Sequence, residues 1–146
     1  MNQKYLLDTN VISELMRSIP EEKVLKWFEL NRNHSFSISS ITQAEILLGI
    51  SLLPVGKKQA ELIEASNKLF SEDFSNRIFS FDDKSSIIYS KIVAHRIQIG
   101  RPITTEDAQI ASIAISNNLI LITRNEKDFL NIDNLEIINP WNFNDI

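Results

Sequence analysis

The feature that most constrains this fold is an alternation of short apolar runs with longer segments of helical periodicity. The run at residues 119–123 (LILIT) is continuous, which is typical of a strand buried on both faces. The runs predicted as strands are residues 4–7, 36–38, 78–81, 119–123 and 136–138. Strands that alternate with helices indicate βαβ units. We therefore expect an α/β fold, with a central, mostly parallel, twisted sheet of four to five short strands covered by helices on both faces.

The composition predicts one soluble domain over residues 1–146. Of 146 residues, 43% are hydrophobic, enough for a sizeable core. The absence of cysteine excludes a disulfide framework, a thiolate metal site and a cysteine nucleophile. We recognise neither a signal peptide nor an apolar run long enough to span a bilayer, and we expect a cytoplasmic protein. The net charge of −4 disfavours a nucleic-acid partner, because phosphate contacts usually need a basic surface.

One carboxylate stands in the middle of a strongly apolar segment, SITQAEILLGI at residues 40–50. Helical periodicity places Glu45 on one face with Ile41, Leu48 and Leu52, so the carboxylate is predicted to point inward. A buried ionised carboxylate is costly unless it is paired, protonated or bound to a metal. Three interpretations are open. A neighbouring Lys or Arg pairs with Glu45, or the helix is rotated so that Glu45 lies at the edge of the buried face, or a metal neutralises it.

Two further carboxylates occupy positions that suit a ligand-binding site. Asp8 directly follows the first strand in LLDTN, and Asp107 begins the buried face of a helix in TTEDAQIASIAI. Each has a simpler alternative. Asp8 can cap the next helix, although Thr9 and Asn10 can also do so. Asp107 fits a capping box with Thr104 as the cap.

Polar residues also follow the long apolar run, in LITRNEKDF. Asn125 can simply cap a short turn, and Asp128 can simply be solvated. Ligands of parallel sheets bind outside the carboxyl ends of the strands, where these residues and the acids would converge. Mg²⁺ prefers oxygen ligands and keeps several waters, so a few carboxylates plus substrate phosphates are enough to bind it. We therefore predict a magnesium site, which also explains the inward position of Glu45.

Three segments together resemble the PIN-domain family of metal-dependent ribonucleases, and more specifically toxins of the VapC type. They are LLDTNVISEL, ITQAEILLGI and TTEDAQIASIAISNNLILITRNEKDF. The resemblance covers essentially the whole chain and implies a single PIN domain. The family's catalytic, metal-binding acids match Asp8, Glu45 and Asp107. At a fourth metal-binding position many relatives have Asp, whereas this chain has Asn125, so Asp128 is a further candidate metal ligand.

The resemblance implies a Mg²⁺- or Mn²⁺-dependent endoribonuclease toxin that hydrolyses RNA phosphodiesters to leave a 5′-phosphate and a 3′-hydroxyl. It also implies a homodimer and a cognate antitoxin protein that covers the acidic site. Thr9, Asn10 and Thr123 would hydrogen-bond to the carboxylates and orient them. Arg124 and Lys127, which lie beside the predicted site in the sequence, are the candidate RNA-binding residues.

Two other functions remain open. A PIN-like module without catalytic activity would bind RNA or a protein partner, and the neutral Asn125 favours this alternative. A phosphoaspartyl phosphohydrolase also has an Asp after its first strand, but it needs a second Asp two residues later, where this chain has Asn10. Trp27 and Phe28, at helical spacing, are interpreted as core residues or as part of a dimer interface.

Overall fold

The computed structural model describes residues 2–144, and in it five parallel strands form one sheet. The strands are β1 Lys4–Leu7, β2 Ser35–Ser39, β3 Ile78–Phe79, β4 Ile120–Ile122 and β5 Ile137–Ile138. Their order across the sheet is β3-β2-β1-β4-β5, so the first strand of the chain lies at the centre. The predicted α/β fold with a parallel sheet is confirmed.

Helices connect the strands and cover both faces of the sheet, because parallel neighbours need a crossover connection. They are α1 Thr9–Leu15, α2 Glu22–Leu30, α3 Ser40–Ser51, α4 Lys57–Lys68, α5 Asp83–Gln98, α6 Thr105–Ser116 and α7 Glu126–Phe129. A short 3₁₀ turn, Pro140–Asn142, follows β5. Among the helices of residues 2–144, none has both the length and the apolar character needed to cross a membrane.

The central strand β1 contributes to two hydrophobic cores, one on each face of the sheet. Tyr5 and Leu7 pack with residues of α1, α2 and α3 and with Ile122 of β4. Leu6 packs on the opposite face with residues of α5 and α6. Leu6 and Leu7 are fully buried, and each such side chain stabilises the fold by about 1.5–3 kcal/mol. The carboxyl end of β1, which carries Asp8, is therefore held firmly inside the molecule.

The predicted inward face of α3 is wrong. The buried residues of this helix are Thr42, Ile46 and Ile50, whereas Leu48 is 60% exposed and Leu52 is 76% exposed. Glu45 is half-buried and lies at the margin of the inward face. Since α3 carries apolar residues on almost every side, periodicity alone does not define which side is buried.

Trp27 and Phe28 belong to an aromatic cluster under α2. The Trp27 ring centroid lies 5.2 Å from that of Tyr5 and 5.1 Å from that of Phe28. Trp27 is only 6% exposed, and Phe28 packs against the same core. The interpretation of these residues as core is confirmed, and Trp27 is not accessible for a dimer interface.

Candidate functional site

The carboxyl edge of the sheet opens into a polar cavity of about 490 Å³, which we call the acid cavity. It is lined by Asp8, Thr9, Asn10, Ser13, Glu14, Arg17, Glu45, Asp107, Arg124, Asn125 and Trp141. Elements that are far apart in the sequence, namely β1, α3 and α6, bring Asp8, Glu45 and Asp107 to its wall. The structure thus gathers four of the five predicted metal-binding residues around one cavity.

Asp8 follows β1 directly and is 3% exposed. Its Oδ1 accepts the backbone N–H of Thr9 at 2.9 Å, so Asp8 is itself the N-cap of α1. Its Oδ2 accepts the hydroxyl of Thr123 at 2.7 Å and the side-chain amide of Asn10 at 3.1 Å. Burial raises the pKa of Asp8, and the charge of Glu45 raises it further, against the lowering effect of these hydrogen bonds. The capping alternative is correct, but capping uses only one carboxylate oxygen.

Thr123 reaches Asp8 because β4 lies beside β1 in parallel orientation. The backbone N–H of Asp8 donates to the carbonyl of Ile122 at 2.9 Å, which places the next residue, Thr123, beside the Asp8 side chain. The buried Thr123 hydroxyl oxygen also accepts the backbone N–H of Asn125 at 3.1 Å. Thr123 therefore links the two strand ends that carry Asp8 and Asn125.

Glu45 enters the acid cavity from α3. Its Oε1 accepts the hydroxyl of Thr9 at 2.7 Å, and that hydroxyl lies 3.0 Å from the Thr42 hydroxyl. In the described part of the chain, no Lys or Arg nitrogen lies within 4.0 Å of the Glu45 carboxylate. The pairing alternative is therefore wrong, and the alternative that places Glu45 at the edge of the buried face is correct.

Asp107 lies in the first turn of α6. The Thr104 hydroxyl oxygen accepts the Asp107 backbone N–H at 3.2 Å, so the predicted cap is confirmed. The Asp107 carboxyl is half-buried, and burial together with the negative charges of Asp8, Asp128 and Glu45 raises its pKa to about 6, despite a lowering hydrogen bond with Thr104. A helix N-terminus normally favours a carboxylate, so the raised pKa shows that burial and the neighbouring negative charges outweigh this effect.

Asp128 and Lys127 lie outside the acid cavity. They line a second cavity of about 480 Å³, which shares Asp107 with the first. Asp128 nevertheless contributes to the raised pKa of Asp107 through its charge. The structure thus brings Asn125 and Arg124 to the acid cavity and places Asp128 and Lys127 beyond Asp107.

The donors of the acid cavity fit a hard divalent cation. They include carboxylate oxygens and the side-chain amide of Asn125, and Mg²⁺ and Mn²⁺ prefer oxygen ligands. Across residues 2–144, no three His, Cys, Asp or Glu side chains converge closely enough to enclose an ion by themselves. An open arrangement still suits Mg²⁺, which keeps several waters and shares substrate phosphates. The raised pKa values of Asp8 and Asp107 are consistent with a cation site, because a bound cation relieves repulsion between carboxylates.

Four residues of the acid cavity were not predicted from the sequence, namely Ser13, Glu14, Arg17 and Trp141. The buried Glu14 accepts Nη1 of Arg17 and the backbone N–H of Glu21, each at 2.9 Å, and so connects the end of α1 to the start of α2. Trp141 is half-buried, and the Arg124 guanidinium carbon lies 5.1 Å from its ring centroid. Glu14 lies within the family-like segment LLDTNVISEL, whereas no motif includes Arg17. Trp141 follows the last predicted strand. Because ligands bind outside the carboxyl ends of parallel strands, that position could have marked Trp141 as a candidate site residue.

The family model of the PIN domain matches residues 5–135 of the chain. This match spans most of the sequence and all of the predicted metal-binding residues. The chain therefore belongs to the PIN domain family, as the resemblance of its three segments predicted.

Curated relatives are similar to the chain over nearly its full length. The plasmid stability protein StbB of Pseudomonas syringae pv. tomato is 40% identical over 136 residues, which cover 93% of this chain and 97% of the relative. The toxin FitB of Neisseria gonorrhoeae is 37% identical with the same coverage. The VapC ribonuclease Y4jK of Sinorhizobium fredii is 33% identical and covers 93% of this chain and 96% of the relative.

Solved structures have the same fold. A chain of FitAcB from Neisseria gonorrhoeae superposes with a TM-score of 0.87 at 36% identity, over 95% of this chain and 99% of that chain. VapBC2 from Rickettsia felis, solved with a DNA fragment from their promoter, gives a TM-score of 0.78 at 31% identity, over 92% and 97%.

Proposed function

We propose that this protein is a metal-dependent endoribonuclease and the toxin of a toxin–antitoxin pair. The observation that carries the proposal is the convergence of Asp8, Glu45 and Asp107 on one cavity, with no salt bridge to any of them in residues 2–144. Carboxylates removed from water without a cationic partner are destabilising, so a bound cation is their best explanation. The relatives named as a toxin and as a ribonuclease support the same activity.

The chain's own residues would hold the site in a defined geometry. Thr123 and Asn10 orient Asp8, Thr9 orients Glu45, and the first turn of α6 positions Asp107. A bound Mg²⁺ or Mn²⁺ would polarise the phosphodiester and lower the pKa of the attacking water. Hydrolysis in this proposal breaks the bond between phosphorus and the 3′ oxygen, so the products carry a 5′-phosphate and a 3′-hydroxyl.

Arg124 is the proposed phosphate contact within the acid cavity, and Lys127 is the proposed contact in the neighbouring cavity. The two cavities meet at Asp107, so an RNA strand that crosses it would meet basic residues on both sides, among them Arg124 and Lys127. The net charge of −4 does not oppose this, because a bound cation reverses the local charge at the carboxylates.

We further propose that a cognate antitoxin covers the acid cavity and that the toxin is a homodimer. A third cavity of about 330 Å³ lies between α1, α3 and α4, and it shares Thr9, Arg17 and Glu45 with the acid cavity. Ile46 and Ile50 give it an apolar wall. An antitoxin segment with apolar residues followed by an Arg or Lys would match this surface, since a charge-assisted hydrogen bond to a carboxylate is strong. Apolar side chains that remain exposed nearby support a protein partner: Leu47, Leu48, Leu52 and Val55.

A binding module without catalytic activity is the second candidate. The observations that favour it are the neutral Asn125 in the cavity and the open spacing of the acidic residues among residues 2–144. A phosphoaspartyl phosphohydrolase is not favoured, because the Asn10 amide donates to Asp8 and cannot act as the general acid of that chemistry.

The test of the metal site is the variant Glu45→Gln, with Glu64→Gln on the exposed side of α4 as the matched control. Glu45→Gln keeps the shape of the side chain and removes its charge. We expect it to lower Mn²⁺ affinity at least about tenfold in calorimetric titration, and to slow RNA cleavage, because it replaces a charged carboxylate ligand with a neutral amide. The control should retain both properties. Unchanged Mn²⁺ affinity in Glu45→Gln would contradict the proposed metal site, and metal binding without cleavage of any RNA would favour the binding module.

A further inference from the structure

Trp141 has a position that the metal chemistry does not require. It lies in the 3₁₀ turn after β5, and its backbone N–H donates to Oδ1 of Asn139 at 2.9 Å, which fixes the turn. Its ring covers part of the hydrophobic core, yet it also lines the acid cavity. A residue that only covered the core would not need to border the carboxylates.

Arg124 lies against the Trp141 ring, at 5.1 Å from the ring centroid, and lines the same cavity. The Arg124 backbone is held on both sides. Its N–H donates to Oδ1 of Asn10 at 3.2 Å, and its carbonyl accepts the side-chain amide of Asn139 at 3.4 Å. Within residues 2–144 the Arg124 guanidinium forms no salt bridge. The cavity therefore has an aromatic and cationic wall in addition to its acidic wall.

These two walls suit two different parts of a nucleotide. Carboxylates with a bound cation attract a phosphate, whereas aromatic rings and guanidinium planes stack on unpaired bases. The acid cavity, at about 490 Å³, lies in the range of roughly 300–1,000 Å³ that is usual for ligand pockets. It can therefore accept a base and its phosphate together.

We propose that the stacked pair of Trp141 and Arg124 is a binding site for one unpaired nucleobase of single-stranded RNA, next to the phosphate at the carboxylates. This inference rests on the proposed ribonuclease function, and it adds a site for the base to the site for the phosphate. Stacking tolerates any base, because every base has a π face. The site thus selects single strands over duplexes without selecting a sequence.

Fluorescence can test the site, because the chain has two tryptophans and Trp27 is buried in the core at 6% exposure. The protein would carry Trp27→Phe, so that Trp141 is the sole tryptophan, and Asp8→Asn, to prevent cleavage. The probes are an RNA hexamer of random sequence and an abasic hexamer of equal length and charge. We expect the RNA hexamer to change the Trp141 fluorescence and the abasic hexamer to leave it unchanged.

Affinity measurements provide the second readout. In the same Asp8→Asn protein, Trp141→Leu should weaken binding of the RNA hexamer about 5- to 150-fold and leave binding of the abasic hexamer unchanged. Trp141→Phe, which keeps a ring on the core, should lose less affinity. Arg124→Gln should weaken binding of both hexamers, because its charge also contacts phosphate. Arg32→Gln, at an exposed arginine paired with Glu29, is the matched control and should change neither.

Four results would overturn the base-binding site. They are equal fluorescence changes with both hexamers, no fluorescence change with either, equal effects of Trp141→Leu on both, and no binding of either hexamer. Cleavage of RNA by the wild type is measured in parallel, so that failure of the base-binding site can be distinguished from failure of the proposed function. Cleavage without a fluorescence change would leave the nuclease and remove the base site. A base-dependent fluorescence change without cleavage would support the base-binding site and contradict the nuclease function.

Discussion

At the scale of single residues, the partners of each carboxylate distinguish the site from the rest of the molecule. Glu14 lines the acid cavity, but Arg17 forms an ion pair with it and a backbone N–H donates a hydrogen bond to it. Asp8, Glu45 and Asp107 have no such cation in residues 2–144. The sequence predicted these three acids correctly as residues near one edge of the sheet. It could not distinguish them from Glu14 by charge, because pairing depends on side-chain geometry.

The burial of the Asp107 carboxyl, together with the neighbouring negative charges, predicts that Asp107 destabilises the metal-free protein at neutral pH. Its pKa of about 6 exceeds the ordinary 3.8, so between these values the folded state binds more protons than the unfolded state. The free energy of unfolding therefore falls as pH rises through this window. In EDTA, Asp107→Asn should be more stable than the wild type at pH 8, by about 1 kcal/mol after allowance for solvent screening of a half-buried group. The difference should shrink towards pH 4.

Urea unfolding at pH 8 and pH 5 measures this effect. The control for loss of a surface charge is Asp133→Asn. Asp133 is exposed and lies outside the acid cavity and the neighbouring cavity that Asp128 lines. An Asp107→Asn protein that is less stable than the wild type at pH 8, or a difference that grows as pH falls, would contradict the raised pKa of Asp107.

At the scale of elements, strands were easier to predict than helix faces. Each strand is a short apolar run bounded by polar residues, and all five predicted strands are present, with ends that differ by one or two residues. The caps Asp82 of α5 and Thr104 of α6 also agree with simple rules for helix starts. The face of α3 could not be predicted, because its apolar residues surround the helix and tertiary packing decides which of them are buried.

The corrected face of α3 predicts opposite outcomes for two neighbouring substitutions. Ile46 is 7% exposed and Leu48 is 60% exposed. Ile46→Ala should lower the free energy of unfolding by about 2–5 kcal/mol, because it leaves a cavity in the core. Leu48→Ala should change it by no more than about 0.5 kcal/mol. Urea unfolding of the two variants makes the comparison, and a larger cost for Leu48→Ala would show that the face is assigned wrongly.

At the scale of the whole molecule, parallel topology creates the acid cavity. Asp8, Glu45, Asp107 and Asn125 are dispersed along the sequence, yet the carboxyl edge of one sheet collects them. This convergence was predictable from the rule that ligands bind at that edge. The sequence did not predict which residues would line the acid cavity and which would line the neighbouring cavity beyond Asp107. Asn125 and Asp128 are three residues apart, but the start of α7 separates them into different cavities.

The central claim is that the acid cavity performs metal-dependent cleavage of RNA, and Asp8→Asn tests it most directly. The substitution keeps the size of the side chain and removes its charge from the most buried of the three acids. Growth of cells that express the protein and cleavage of RNA by the purified protein are compared for wild type and variant, with Mg²⁺ and with EDTA. Asp73→Asn, at an exposed position, is the control for loss of an aspartate.

We predict that the wild type with Mg²⁺ arrests growth and cleaves RNA, as does Asp73→Asn. Asp8→Asn and the wild type in EDTA should do neither, because the metal site then lacks a carboxylate charge or its metal. Circular dichroism would show that Asp8→Asn remains folded. Cleavage that persists both in Asp8→Asn and in EDTA would contradict the account, since the carboxylates would then have only a structural role.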